Sequence, residues 1–305
     1  MKLIKPSYEF WEQKEGLSGV EAQIERAARV CYASEPKGEV GELLGKLIKS
    51  KHYAMLEHGT VYLMIDCSGR LIDVANKYIQ NKYSKVSLHS DGVHYCITTN
   101  YRVLVENNWL DDLKYLCEPT EYHEKRITVK FTMDRIGSQS FCRHRVFSFA
   151  QESTRYCNYS KDKFSNEITF IIPSRLNIPE GIAYWHDGLG YRVGADPNNT
   201  DFDASLGYIN KSSNYDSFLY ALENAEKSYF RLLKEEWKPQ QARQVLPNAL
   251  KTELVMTGFV SDWKHFFDLR AIGTTGKPHP DAEILAKPLM NEFIERRYLN
   301  GTSNS

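Results

Sequence analysis

The segment Ile127–Met133 constrains the fold most. Ile127, Val129, Phe131 and Met133 alternate with Thr128, Lys130 and Thr132. Successive side chains of a strand point to opposite faces, so this period of two predicts a strand with one apolar and one polar face. Alternation of that kind favours an antiparallel sheet with one covered face, because parallel strands are buried on both sides and read as continuous apolar runs.

The remaining periodicities supply the cover. A short strand is expected at Leu3-Ile4, and Ser18-Gly19-Val20-Glu21 reads as a capping box opening a helix with Ile24, Ala27, Ala28 and Cys31 on one face. Val40, Leu43, Leu44, Leu47 and Ile48 follow the spacing of an amphipathic helix, which leads through His52–His58 to a strand at Thr60–Ile65. A helix is expected over 71–84, strand-rich chain over 93–105, and a strand at Ile168–Ile172 stopped by Pro173. The Gly-, Asn-, Asp- and Tyr-rich stretch from Gly181 to Asn214 reads as a long loop or excursion. From Tyr215 to Arg270 the chain reads as largely helical, with Phe218, Leu222, Ala225, Tyr229 and Leu232 as a stripe and Pro247 as a kink or break. A last helix is expected over roughly 280–298, before a polar tail, Asn300–Ser305. The class is therefore α+β: an antiparallel or mixed sheet covered by helices, with a largely helical C-terminal half. With no repeat or linker, one domain over 1–305 is expected, with insertions around 66–126 and 181–214.

Charge decides where a ligand can bind. Lys+Arg and Asp+Glu are equal at 39 each, so no global field draws nucleic acid or an anionic membrane. Anion recognition must come from a local cluster, and residues 143–156 provide one: Arg-His-Arg-Val-Phe-Ser-Phe-Ala-Gln-Glu-Ser-Thr-Arg-Tyr. Arginine offers a rigid fork of donors for phosphate oxygens, and serine adds short hydrogen bonds. A solvated basic turn is the simpler reading, but Phe147, Phe149 and Tyr156 would pull the segment against the core. The six cysteines contain no C-x-x-C pair and no His, Cys and carboxylate set has metal-ligand spacing, so reduced thiols and no metal are expected. No secretory signal and no run near ~20 apolar residues is present, so a soluble cytoplasmic protein is expected.

The run Arg143-His144-Arg145, seven residues, then Ser153 resembles the signature of the flavin-dependent thymidylate synthases, the ThyX family. Three further landmarks fall in the family's order: the turn His52–His58 ending in Glu57-His58, the Ala242–Pro247 segment, and Phe266-Phe267-Asp268-Leu269-Arg270. The resemblance implies reductive methylation of dUMP to dTMP, with FAD as cofactor and NADPH and methylenetetrahydrofolate as co-substrates. It implies that Arg143, His144 and Arg145 hold the flavin, with Arg143 also near the nucleotide and His52, Glu57, His265 and His279 as flavin neighbours. Gln151, Glu152, Ser153, Thr154, Arg155 and Arg243 would lie at dUMP, Ser153 and Arg155 at its phosphate and from a neighbouring subunit. Gln151 would also lie near the flavin. Arg270 would sit against the uracil ring as the catalytic cation, in a homotetramer with shared sites. The motif membership of His58 and His144 implies a functional place for both, whereas His89, His94, His123 and His186 read as ordinary surface or core residues.

The chain departs from the family pattern at several positions. Ala54 stands where the family has Thr, and Ser140 where a Gln precedes the RHR run, with Gln139 one residue earlier. Phe259 and Ser261 stand where the family offers Asn and Arg to the adenine end of FAD. Gly273–Pro278 lacks phosphate-loop spacing and reads as a flexible turn. Two alternatives follow: a hydroxymethylase or a variant acting on a cytosine nucleotide, or a nucleotide- or RNA-binding module without catalysis.

Overall fold

The structure, a computed structural model, describes residues 1–34, 41–66, 71–186, 190–193 and 214–299. In chain order the strands are β1 (Lys2–Ile4), β2 (Ser7–Trp11), β3 (Thr60–Asp66), β4 (Lys85–Leu88), β5 (His94–Asn100), β6 (Arg126–Asp134), β7 (Ser148–Gln151), β8 (Thr169–Ile171), β9 (Gly181–His186), β10 (Gly190–Val193) and β11 (Lys251–Phe259). The helices are α1 (Gly16–Tyr32), α2 (Glu42–Lys49), α3 (Leu71–Ile79), α4 (Tyr101–Glu106), α5 (Arg135–Phe141), α6 (Asn214–Lys234), α7 (Pro239–Ala242), α8 (Val260–Phe267) and α9 (Pro280–Glu295).

The alternating segment is β6, inside an antiparallel sheet ordered β2-β6-β11-β7. Val129, Phe131 and Met133 of β6 and Leu254 and Met256 of β11 pack on Trp263, Phe266 and Phe267 of α8 and on Leu289 and Phe293 of α9. The polar face is not left to solvent. Helix α1 lays Ala27 and Val30 against Trp11, Ala150 and Val255, so both faces are covered. Some of the polar atoms this buries pair with one another, as Thr128 and Thr257 do through their hydroxyls at 2.8 Å.

That second cover explains why β11 does not announce itself. The C-terminal half is mostly helical as expected, yet a nine-residue strand interrupts it, paired along its whole length with β6 from Lys251↔Asp134 to Phe259↔Arg126. Leu254 to Phe259 are all buried, so the period of two is absent from their sequence.

A second sheet, β10-β9-β1-β8, is mixed: β1 runs parallel to β8 and antiparallel to β9. Leu219, Leu222 and Tyr229 of α6 cover it, against Leu3 and Phe170. The stretch expected as a loop from Gly181 therefore opens with a hairpin, β9 and β10; residues 187–189 and 194–213 lie outside the described residues. A third sheet, β3-β5-β4, forms between His58 and β6 and has its own core of Leu63, Ile65, Tyr78, Ile97 and Leu104.

Two local expectations are corrected. Helix α1 starts at Gly16 with Glu15 at its N-cap and no side-chain cap, so Ser18 lies inside the first turn and forms no capping box. The stretch 93–105 is strand only to Asn100, whose side chain accepts from the Val103 amide at 3.2 Å and starts α4. Val40 and the tail from Asn300 fall outside the described residues, and α2 buries Leu44 and Leu47 as its pattern predicts. Among the described residues no helix is long and apolar enough to cross a membrane.

Candidate functional site

The RHR run is not joined directly to β6. Asp134 ends the strand and caps α5, its carboxylate accepting from the Gly137 amide at 2.6 Å. Successive turns follow: His144 N–H to the Phe141 carbonyl at 3.0 Å and Phe147 N–H to the His144 carbonyl at 3.1 Å. This geometry leaves Arg143 and Arg145 exposed and turns His144 inward, to 7% exposure. Phe147 anchors the turn, its ring 4.7 Å from that of Trp263 and lying over Gly258. A Cβ at position 258 would meet Phe147 Cδ1 at 2.6 Å, so the ring fits only because β11 carries glycine there.

Arg270 reaches this turn from a distant part of the chain. It sits in a π-helical turn, Asp268–Ile272, that follows α8, an irregularity frequent at functional sites. Its Nε donates to His144 Nε2 at 3.0 Å and its Nη2 to the Ser140 carbonyl at 2.9 Å. Burial, then the charges of Arg270 and His265, pull the His144 imidazole down to about 4, so it is neutral at pH 7. As Nε2 accepts from Arg270, Nδ1 must carry the ring proton. Arg270 is itself lowered by burial and by Arg143, yet an arginine stays charged. His265 is exposed, its ring 6.2 Å from that of His144.

A second group lines a cleft of about 610 Å³ between the Tyr53–His58 turn, α1 and the end of β7. His52, Gln151 and Ser153 face it, with Lys51 and Arg102 on one wall and Tyr32 and Tyr156 packed at 5.1 Å. Gln151 is tied to α5 through its Nε2, which donates to Ser138 Oγ at 2.7 Å. Cys31 also lines the cleft, where burial pushes its thiol up, so it is no thiolate. A third contact joins the remaining motif residues: Arg243 Nη1 donates to Thr154 Oγ1 at 2.9 Å. Arg155 is exposed, its guanidinium 5.4 Å from the Tyr156 ring. Among the described residues, none of Arg143, Arg145, Arg155, Arg243 and Arg270 pairs with a carboxylate.

Other expected residues are committed elsewhere. Glu152 is turned inward, 2% exposed, against Lys251 Nζ at 2.9 Å, because the residue after β7 points into the core. Glu57 is held by Arg102. His58, expected to have a functional place as a motif member, is wholly buried with Nδ1 2.8 Å from Thr257 Oγ1, a structural contact that the motif does not reveal. His279 is exposed and caps α9, accepting from the Asp281 amide at 3.3 Å. Phe259 is 7% exposed beside Arg126, and Ser261 is bonded through both its amide and hydroxyl to Glu124. Sequence reasoning missed Tyr32, Lys51, Arg102 and Arg126, which belong to no motif and carry no spacing signal.

Residues 118–296, more than half of the chain, match the thymidylate synthase complementing protein family. The chain belongs to that family. The matched span holds the RHR run, Arg243 and Arg270, while His52, Glu57 and Arg102 precede it. Flavin-dependent thymidylate synthases from Corynebacterium efficiens and Mycobacterium sp. (strain KMS) are each 30% identical, over 155 and 164 residues. These alignments cover 50% and 53% of this chain and 50% and 55% of the relatives. The chain thus spans about half the length of the curated relatives it matches. The namesake from Corynebacterium aurimucosum is 24% identical over 267 residues, 86% of this chain and 72% of its own. A solved UMP/dUMP methylase, PolB from Streptomyces cacaoi bound with 5-Br UMP, aligns over 97% of this chain and 92% of its own at 17% identity, with a TM-score of 0.43.

Proposed function

We propose that the protein is a flavin-dependent thymidylate synthase, which methylates dUMP reductively to dTMP. The contact of Arg270 with His144 carries this reading. It joins two family motifs, 126 residues apart, around a set of arginines that, among the described residues, pair with no carboxylate. An anionic ligand is what such a set is built to take.

The residues fit FAD. Arg143 and Arg145 are exposed forks suited to a diphosphate, and the cleft offers aromatic walls for a planar ring. Ala54 offers no hydroxyl there, and Phe259 and Ser261 are already engaged, so the adenine end must find other partners. FAD, when bound and reduced by NADPH, supplies the hydride that turns the methylene of methylenetetrahydrofolate into a methyl group. The chain's own residues bind and orient. Ser153 and Arg155 take the phosphate of dUMP, and Arg243, bonded to Thr154, also contacts the nucleotide. Arg270 lies against the uracil ring, preorganised by Ser140 and His144, and stabilises negative charge on the activated base. His144, neutral at pH 7, orients Arg270 and does not protonate the substrate.

None of Arg143, Arg145 and Arg270 lines the cleft, although Gln151 on the cleft and Arg270 both bond to α5, through Ser138 and Ser140. The reading takes from the family resemblance a homotetramer with sites completed between subunits. The test incubates the protein with dUMP, methylenetetrahydrofolate, NADPH and FAD and identifies the product by mass. dTMP is expected. A hydroxymethyl product, or turnover of a cytosine nucleotide alone, supports the alternative to which the engaged Phe259 and Ser261 point. A colourless protein that takes up no added FAD sinks both.

A further inference from the structure

The cleft wall that carries His52 continues to Glu57 behind it, and residues outside the family motifs help to hold it. Two arginines do so: Arg102 in α4, which follows the three-stranded sheet, and Arg126 at the start of β6. Strand β5 ends against β3 at the pair Thr60↔Asn100, and Asn100 at once caps α4. The Tyr101 amide donates to the Gly59 carbonyl at 2.9 Å, which sets α4 beside the Tyr53–His58 turn. Arg102 is thereby delivered to the cleft, where Nη1 meets Glu57 Oε1 at 2.5 Å and Nη2 meets Glu106 Oε1 at 2.8 Å. Arg126 grips the same residue from behind, its Nη1 donating to the Glu57 carbonyl at 2.9 Å and its Nη2 to Ser148 Oγ at 3.2 Å. Position 57 is held at its carboxylate and at its backbone, and His58 beside it is pinned to Thr257.

Charge gives the clamp a second consequence. Glu106 lines the cleft with Arg102, Lys51 and His52, and Glu57 adjoins them through Arg102. Without Arg102, both carboxylates would lose their paired cation beside a cleft that, on the functional reading, takes anionic ligands. We propose that Arg102 is a positioning residue of the cleft: brought in by the extra sheet, it braces the Tyr53–His58 turn through Glu57 and cancels the acidic charge of Glu57 and Glu106. The charge-cancelling half rests on the functional reading above; the brace does not.

The test compares Arg102→Met, Arg102→Lys and the double variant Arg102→Met/Glu106→Gln in the full-length protein. Hydrogen exchange without ligand should show the Tyr53–His58 amides opening about tenfold faster in Arg102→Met and near wild type in Arg102→Lys. dUMP titrated into the FAD-loaded protein, followed by the flavin spectrum, should bind about tenfold more weakly to Arg102→Met at roughly 50 mM KCl, with the loss shrinking at roughly 500 mM as repulsion is screened. Glu106→Gln should recover most of that loss. Unchanged exchange in Arg102→Met overturns the brace. A loss of affinity that ignores salt and is not recovered by Glu106→Gln overturns the charge role. A wild-type protein that binds neither FAD nor dUMP refutes the functional reading and, with it, the charge role, while the exchange measurement still decides the brace.

Discussion

Replacing Arg270 by Ala removes two charge-assisted hydrogen bonds together, to His144 Nε2 at 3.0 Å and to the Ser140 carbonyl at 2.9 Å. Both acceptors belong to the α5–RHR turn, but Phe147 and Trp263 hold that turn independently, so the loss of stability should stay near 1–2 kcal/mol. Turnover should fall much further. A fixed donor aimed at developing charge is worth roughly 10²–10³ in rate, or about 3–4 kcal/mol. The fall should appear in kcat and kcat/KM together, because the interaction is made mainly in the transition state. A second signature is independent of activity. With the neighbouring cation gone, the His144 imidazole should titrate above its present value of about 4, as followed by NMR on the ring. Initial-rate assays of dTMP formation and urea unfolding measure the first two effects. Retained dTMP formation in the variant would refute the catalytic role, and an unmoved His144 would refute the geometry behind it.

Other perturbations probe the frame around the site. His58 is pulled down to about 3 by burial and then by Arg126, whereas unfolded it titrates near 6.5. The stability it permits above pH 6.5 is therefore lost as pH falls through that value. Between pH 7 and pH 5, wild type should lose about 2 kcal/mol more than His58→Gln; parallel losses in urea unfolding would contradict the assignment. Lys251→Met strands the buried Glu152 carboxylate and should cost about 3–5 kcal/mol, most of it regained in Lys251→Met/Glu152→Gln. Phe131→Ala, emptying a fully buried site among Phe141, Trp263 and Phe266, should cost about 3–5 kcal/mol by the same measurement; a cost below about 1 kcal/mol would mean that the cluster is not the core.

What the sequence reveals is what local chemistry writes into it. Ile127–Met133 alternates because its apolar face meets α8 and α9 while its other face carries Thr and Lys, Thr128 bonded to Thr257 and Lys130 paired with Glu9, so the strand reads plainly. The RHR run reads plainly because cations with no counterions nearby have little reason to cluster. β11 is silent because burial on both faces erases its period. The partners of individual side chains are silent too. Arg126 meets Glu57 across 69 residues, Arg102 meets Glu57 across 45, and His58 meets Thr257 across 199, separations that no spacing rule spans. The resemblance implies a functional place for His58 and a nucleotide contact for Glu152, whereas their burial commits them to the frame.

The contact of Phe147 with Gly258 makes two positions on different elements a single unit. A methyl group added to β11 at that point would lift the ring and, with it, the turn that carries Arg143 and Arg145. The two cations would then be displaced although every charged residue was kept. Relatives that carry a larger residue at this strand position should carry a smaller one in place of Phe147. Affinity for the anionic part of a cofactor can thus drift through a pair of sites that carry no charge.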